Sequence, residues 1–227
     1  AESNKSATVV PSFEQAWFTV LADYMMIHQP QFVRRQVRKV LLYVCGSKDK
    51  YRQLRDLHNL ETHMGQVRDM CDKASINLTV PTPGSVILPY DMLINLMEHL
   101  KACSEMASSR TVNWQLFCAQ DDTVLPFLVG ASIALDEGVA PVLLQLLQCA
   151  LCGGTKPVRE KEESKATTSK KDKSDEKDDI DGDESLCHQL VQAVCKSISR
   201  ELLTKFIRCF LLESNSTSVR WQAHALV

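Results

Sequence analysis

Aromatic residues are scarce in this 227-residue chain, only 6% of the total, too few to build a stacking platform for nucleic-acid bases. Charge of either sign is not in excess: the formal net charge is −2, so no global field draws in nucleic acid or an anionic membrane. Glycine and proline number eight each and alternating β-branched runs are few, which counts against an all-β fold. No apolar run reaches the length of a membrane span, and no secretory signal opens the sequence. These absences predict a soluble intracellular protein with no nucleic-acid partner and no membrane span.

Catalytic signatures are missing as well. The six histidines show no H-E-x-x-H and no paired ligand spacing, and His58 and His63 lie five apart, off a common helical face. There is no glycine-rich phosphate loop, nucleophile elbow or kinase motif. Nine cysteines are an odd number and their spacings suggest no disulfide framework. Most fall on apolar helical stripes, where cysteine acts as a small hydrophobe, and that fits a reducing compartment. Asn77 and Asn215 stand in glycosylation sequons that mean little in such a compartment. The chain begins Ala1-Glu2-Ser3 and stops at "VRWQAHALV" without a helix stop signal, so it reads as a piece of something longer.

What is present is helical punctuation. Ser12 and Gln15 are placed as a capping box ahead of "FEQAWFTVLADYMMIH", which Pro30 ends. "QFVRRQVRKVLLYVCG" follows, closed by Gly46, with Phe32, Val33, Val37, Val40, Leu41 and Val44 expected on one face. Ser47 caps a third helix whose Tyr51, Leu54, Leu57, Leu60, Met64, Val67 and Cys71 recur at steps of three and four. That stripe is narrow, predicting packing on one side only. Pro81, Pro83, Gly84 and Pro89 break the pattern. Helices resume at 90–107, at about 112–119 after a Thr111 cap, at 123–135 and at 139–151. Beyond a charged run, "SLCHQLVQAVCKSISRELLTKFIRCFLLE" reads as one long helix, and Ser216 or Thr217 caps a last one.

Eight or nine helices with short loops and no strand make an all-α chain. "LDEGVAPVLLQLL" and "SNSTSVRWQAHALV" resemble pieces of armadillo or HEAT repeats, and Ala223 and Ala225 would let stacked helices approach closely. No strict 40-residue period runs through the chain. The expected fold is an irregular armadillo/HEAT-like α-solenoid segment, residues 1–153 and 186–227 forming one array around an inserted loop at 154–185. From Lys156 to Glu184 that loop carries eight basic and eleven acidic residues, a composition predicting disorder. Its serines and threonines, Ser164, Thr167, Thr168, Ser169 and Ser174, make it a candidate for phosphorylation.

Three constellations could carry chemistry. The C-x-x-C at Cys149 and Cys152 needs a second pair to hold zinc, and Cys187-His188 is the available supply. It closes a helix rather than opening one, which favours buried apolar surface over a metal or redox site. "KDDIDGDES" fails as a calcium loop, because Lys177 and His188 occupy the two positions that need carboxylates. "VRRQVRKVLLYV" is a basic amphipathic helix of the kind a calcium-loaded, methionine-lined groove grips. Arg34, Arg35, Arg38 and Lys39 form its candidate partner-binding face, calmodulin being the candidate partner. The bland alternative is a repeat helix with a cationic outer side.

The particular wording of "PSFEQAWFTVLADYMMIHQPQFVRRQVRKVLLYVCGSKDKYRQLRDLHNLETHM" and "LLESNSTSVRWQAHALV" resembles the Calossin/Pushover/BIG family of giant UBR-box N-recognin ubiquitin ligases, in the helical scaffold upstream of the catalytic module. The resemblance implies an E3 ubiquitin ligase of the N-degron pathway, with links to calmodulin and a partner ligase. It also implies a ubiquitin-conjugating enzyme engaged through other regions, and cytoplasmic, cytoskeletal and nuclear pools. The Cys/His zinc arrays of the UBR box and of the ubiquitin-transfer module have no counterpart in this sequence. Zinc is therefore expected elsewhere in the parent chain and no cofactor in this segment, and no catalytic residue carries over. The implied role is a scaffold that positions substrate-recognition and transfer modules.

Overall fold

A computed structural model describes residues 13–78, 81–83, 85–153, 179–213 and 216–227. Ten α-helices, and no strand among the described residues, confirm the all-α expectation. They are α1 (Phe13–Ala22), α2 (Gln31–Cys45), α3 (Lys48–Lys73), α4 (Tyr90–Ser109), α5 (Thr111–Gln120), α6 (Val124–Ala134), α7 (Ala140–Leu151), α8 (Asp179–Ser197), α9 (Arg200–Ile207) and α10 (Thr217–His224). The charged stretch read as a disordered loop falls at 154–178 outside the described residues, and α8 begins inside its expected span. Helical backbone from Asp179 onward also denies the stretch around Gly182 the wrapped path of a calcium loop.

Local chemistry explains most boundaries. Gly46 takes the left-handed conformation at the end of α2 (φ 72°), and Ser47 accepts from the Lys50 N–H at 3.1 Å to start α3. Ser216 does the same for α10 by accepting from Val219 N–H. The expected long helix after the charged run is instead two. Ser199 adopts an extended conformation and caps α9 by accepting from Leu202 N–H at 3.1 Å, so α8 stops at Ser197, and α9 ends in a π turn over Arg208–Leu212. The first helix is likewise shorter than its pattern, ending at Ala22 in a 3₁₀ turn, Asp23–Met25. Thr111 is not a cap: its hydroxyl donates back to the Ala107 carbonyl at 2.9 Å, and only the non-helical Arg110 separates α4 from α5.

In every substantial helix–helix contact among the described residues, the partners lie no more than three positions apart in chain order. α1 and α2 pack on α3, α3 on α4 and α5, α4 on α7, α5 on α7 and α8, α6 on α7, α8 and α9, and α7 on α10. Nearest-neighbour packing of this kind is what makes an array solenoid-like. From the segment that begins at Asp179, α8 packs on α5 and α7.

The core is deepest around α6, which is apolar on all sides and almost wholly buried. The chain at residues 76–78 and 85–88 straps across it. Gly130 makes the crossing possible, since a Cβ there would lie 2.4 Å from the Leu78 carbonyl oxygen, and Val86 N–H donates to the Ala134 carbonyl at 3.3 Å near the helix end. Elsewhere buried polar groups tie helices together. The Trp114 indole donates to the Leu146 carbonyl at 2.9 Å, and the Gln115 amide donates to the Ala150 carbonyl at 3.1 Å, serving an otherwise unpaired end of α7. The long stripe of α3 is buried as expected, and Asp56, one turn before Leu60 beside that stripe, is 1% exposed.

No single helix among the described residues is long and apolar enough to cross a membrane.

Candidate interaction surface

The basic helix α2 buries only Leu41, against α1 and α3. Val33, Val37 and Val44 are half-buried beside it, as their spacing predicts. Phe32 and Val40, expected on the same face, are instead in solvent, because α2 has packed neighbours on too narrow an arc to cover them. Phe32, Lys39 and Tyr43 follow at steps of seven and four with Arg35 between, so one outward stripe carries two aromatic rings flanking two cations. Phe32 is 71% exposed and Tyr43 88%.

The four residues proposed from sequence divide. Arg35, Arg38 and Lys39 are exposed. Arg34 is half-buried, and its Nε is buried with no hydrogen-bond partner among the described residues, so it belongs to the packed flank and not to the outer face. The turn before α2 adds the exposed side chains of Tyr24, Met26 and Ile27. Between Asp23 and Asp49 there is no acidic residue, which makes this end of the array locally cationic in a chain that is slightly anionic overall.

The cysteine constellation is partly assembled. The chain brings Cys187 to the end of α7, where a Cβ on Gly153 would lie 3.8 Å from its Sγ and where the Gln115 amide donates to it at 2.9 Å. Cys149 is buried as expected, but Cys152 is exposed, with its thiol 3.4 Å from the Ala225 carbonyl. Among the described residues no group of three or more His, Cys, Asp or Glu is arranged to hold a metal ion. Thiolate chemistry is disfavoured too. Burial raises the Cys152 thiol, and the neighbouring Cys187 and Cys149 raise it further, while burial alone pushes Cys103 to about 12. Cysteine as a buried hydrophobe holds for Cys71, Cys103, Cys118 and Cys149, whereas Cys195 joins Cys152 in solvent.

Sequence spacing missed one pair. His63 on α3 and His99 on α4 meet with Nδ1 to Nδ1 at 2.8 Å, one ring donating and the other accepting. Burial lowers the His63 pKa, and the charge of His99 lowers it further. The residues are 36 apart, so no local pattern could have signalled the contact.

The described residues thus define a solenoid-like helical segment whose outward chemistry is one of surfaces. No family model and no solved structure matches the chain. It is 36% identical to the protein purity of essence of Drosophila pseudoobscura pseudoobscura over 95% of its own length and 4% of that protein's. It is 29% identical to the auxin transport protein BIG of Oryza sativa subsp. japonica over 92% of its length, again 4% of the relative. A Dictyostelium discoideum protein named as a probable E3 ubiquitin-protein ligase is 29% identical over 58% of the chain and 2% of its own length. The chain is a segment of the Calossin/Pushover/BIG family, spanning about one twenty-fifth of the two longer-matched relatives.

Proposed function

We propose that the chain is a scaffold segment of a giant E3 ubiquitin ligase of the N-degron pathway, spacing the modules that recognise substrate and transfer ubiquitin. The observation that carries this reading is the nearest-neighbour packing of its helices, which gives a fixed separation between whatever precedes α1 and whatever follows α10. The name of the Dictyostelium relative supports the ligase part. On this reading zinc, substrate and the ubiquitin-conjugating enzyme are handled by other parts of the parent, and its cytoplasmic, cytoskeletal and nuclear pools are set there. The test is in-frame excision of residues 13–227 from the parent ligase. Substrate binding and ubiquitin discharge by the remaining modules are expected to persist while ubiquitylation of a substrate with a destabilising N-terminus is lost. Undiminished ubiquitylation would count against a spacing role.

A second reading is favoured by the exposure of Arg35, Arg38 and Lys39 between Phe32 and Tyr43: α2 as a docking helix for calmodulin or a partner ligase. Because Leu41 is wholly buried, a partner that encircles the helix would have to draw α2 off α3, whereas one that takes the outer stripe would not. Calcium-dependent capture on immobilised calmodulin that survives Arg35→Glu, Arg38→Glu and Lys39→Glu together would remove this reading.

A further inference from the structure

Leu57, Glu61, Gly65 and Arg68 succeed one another at steps of four, four and three along α3 and so share one face. That face lines a half-open groove of about 320 Å³ between α1, α3 and α5, with Phe117 opposite and Gln15 and Gln120 also lining it. Gly65 stands in the interior of a 26-residue helix, where glycine is unfavourable relative to alanine. Nothing in the fold requires it. Its φ is not positive, and a Cβ at this position would meet no atom within 4 Å, in contrast to Gly130, which a crossing strap compels. Position 65 therefore leaves helix backbone open to an approach from outside, which is a use of glycine that internal packing does not supply.

The charges around the opening narrow what can approach. The Arg68 guanidinium is already engaged, donating to Asp121 at 2.8 Å and to the Thr123 hydroxyl at 2.9 Å. Glu61 is exposed and enters no ion pair among the described residues. The groove so presents one uncommitted carboxylate beside a floor of Leu57, Met64 and Phe117. A carboxylate at that position repels phosphate, which disfavours nucleic acid and anionic lipid. It suits a cation carried on an apolar stem, as in lysine or arginine.

We propose that this groove binds a peptide segment of a partner protein, its backbone passing across Gly65 and a lysine or arginine meeting Glu61. This holds whether or not the parent is a ligase, and it concerns a different face from the basic stripe of α2. The test is selection of a phage-displayed linear dodecapeptide library on the 227-residue chain, followed by fluorescence anisotropy with the enriched peptide. Enriched sequences are expected to place Lys or Arg beside a small or apolar residue. Gly65→Leu, which fills open space, and Glu61→Lys are each expected to weaken binding by about tenfold or more, with Glu61→Gln in between. Circular dichroism and melting of the same variants confirm folding, and Gly65→Ala, favoured by helix propensity, provides the steric arm should leucine disturb α3. The proposal is overturned by any of four outcomes: no enrichment, enriched peptides lacking a basic residue, equal affinity for Gly65→Ala, Gly65→Leu and Glu61→Lys, or binding abolished instead by Arg35→Glu with Lys39→Glu.

Discussion

Arg110 pairs with Asp56, its Nε 3.1 Å from the carboxylate Oδ2, and so fastens the bend between α4 and α5 to the middle of α3. Asp56 is 1% exposed, and its remaining bonds come from Arg55 at 3.1 Å and Asn113 at 2.9 Å. A buried carboxylate depends on such partners, because leaving it unpaired costs its full desolvation. Arg110→Ala leaves Arg55 and Asn113 in place and is expected to lower stability by about 1–2 kcal/mol. Removing both arginines is expected to cost about 3–5 kcal/mol, more than the sum of the single changes. Urea unfolding of the four members of this cycle measures the coupling, and strict additivity would show that Asp56 does not share its partners in this way.

Two helix glycines should respond to alanine with opposite sign. At Gly130 the added Cβ would sit 2.4 Å from the Leu78 carbonyl oxygen, so either the strap or α6 must shift. A loss of about 1–3 kcal/mol is expected, as for overpacking elsewhere. At Gly65 the same methyl enters open space and gains the propensity difference, about 0.5–1 kcal/mol of added stability. Thermal melting of Gly65→Ala and Gly130→Ala compares them directly, and a stabilised Gly130→Ala would refute the close approach of the strap.

That contrast also marks what the amino-acid pattern could convey. Periodicity located α3, since Tyr51, Leu54, Leu57, Leu60, Met64, Val67 and Cys71 are all buried where steps of three and four put them. Cap residues were equally readable: Gly46, Ser47 and Ser216 act locally, through bonds to residues within three positions. The break at Ser199 lay within a continuous apolar pattern, and only its cap bond to Leu202 reveals it. On α2, periodicity grouped Phe32 and Val40 with Leu41, yet burial depends on how wide an arc of neighbours exists, which is a property of the array. Ala225 failed for the same reason: it is exposed, while Ala223 one turn-face away is buried in the packing of α10. Asp56, the His63–His99 pair and the groove at Gly65 are made by residues distant in sequence, so they were beyond any local reading.

Thiol reactivity should follow burial. Burial pushes Cys71 to about 11 and Cys103 to about 12, and raises Cys118 well above the ordinary thiol value. Thiolate, the reactive form, is therefore withheld at all three, and they are also inaccessible. Iodoacetamide on the folded chain is expected to modify the exposed Cys195 first, ahead of Cys152 with its raised thiol, and Cys71, Cys103 and Cys118 only after denaturant is added. Peptide mass spectrometry over a time course reads the order. Early labelling of Cys103 would mean that α4 is not buried as described.

Acid should weaken the junction of α3 and α4 in a pH window set by histidine. The His63 pKa is held below its ordinary 6.5 by burial and by His99. The unfolded chain then takes up a proton at a higher pH than the folded one, so folding loses stability as pH falls. The contribution of this group is complete above about pH 6.5 and is lost progressively as pH drops toward the folded value. A second, lower window belongs to Asp121. Burial alone would raise its carboxyl, but bonds from Thr123 and Arg68 outweigh that and bring it below its ordinary 3.8. Its contribution persists above that value and disappears only in stronger acid. Melting temperatures of the wild-type chain and of His63→Asn, taken at pH 7.5, 6.5, 5.5, 4.5, 3.5 and 2.5, separate the two windows. The variant is expected to lose less stability than wild type between pH 6.5 and 5.5 and to run parallel to it below pH 4.5, where only carboxylates remain to titrate. Parallel curves through the upper window would show that the 2.8 Å contact between the two rings does not hold the helices together in solution.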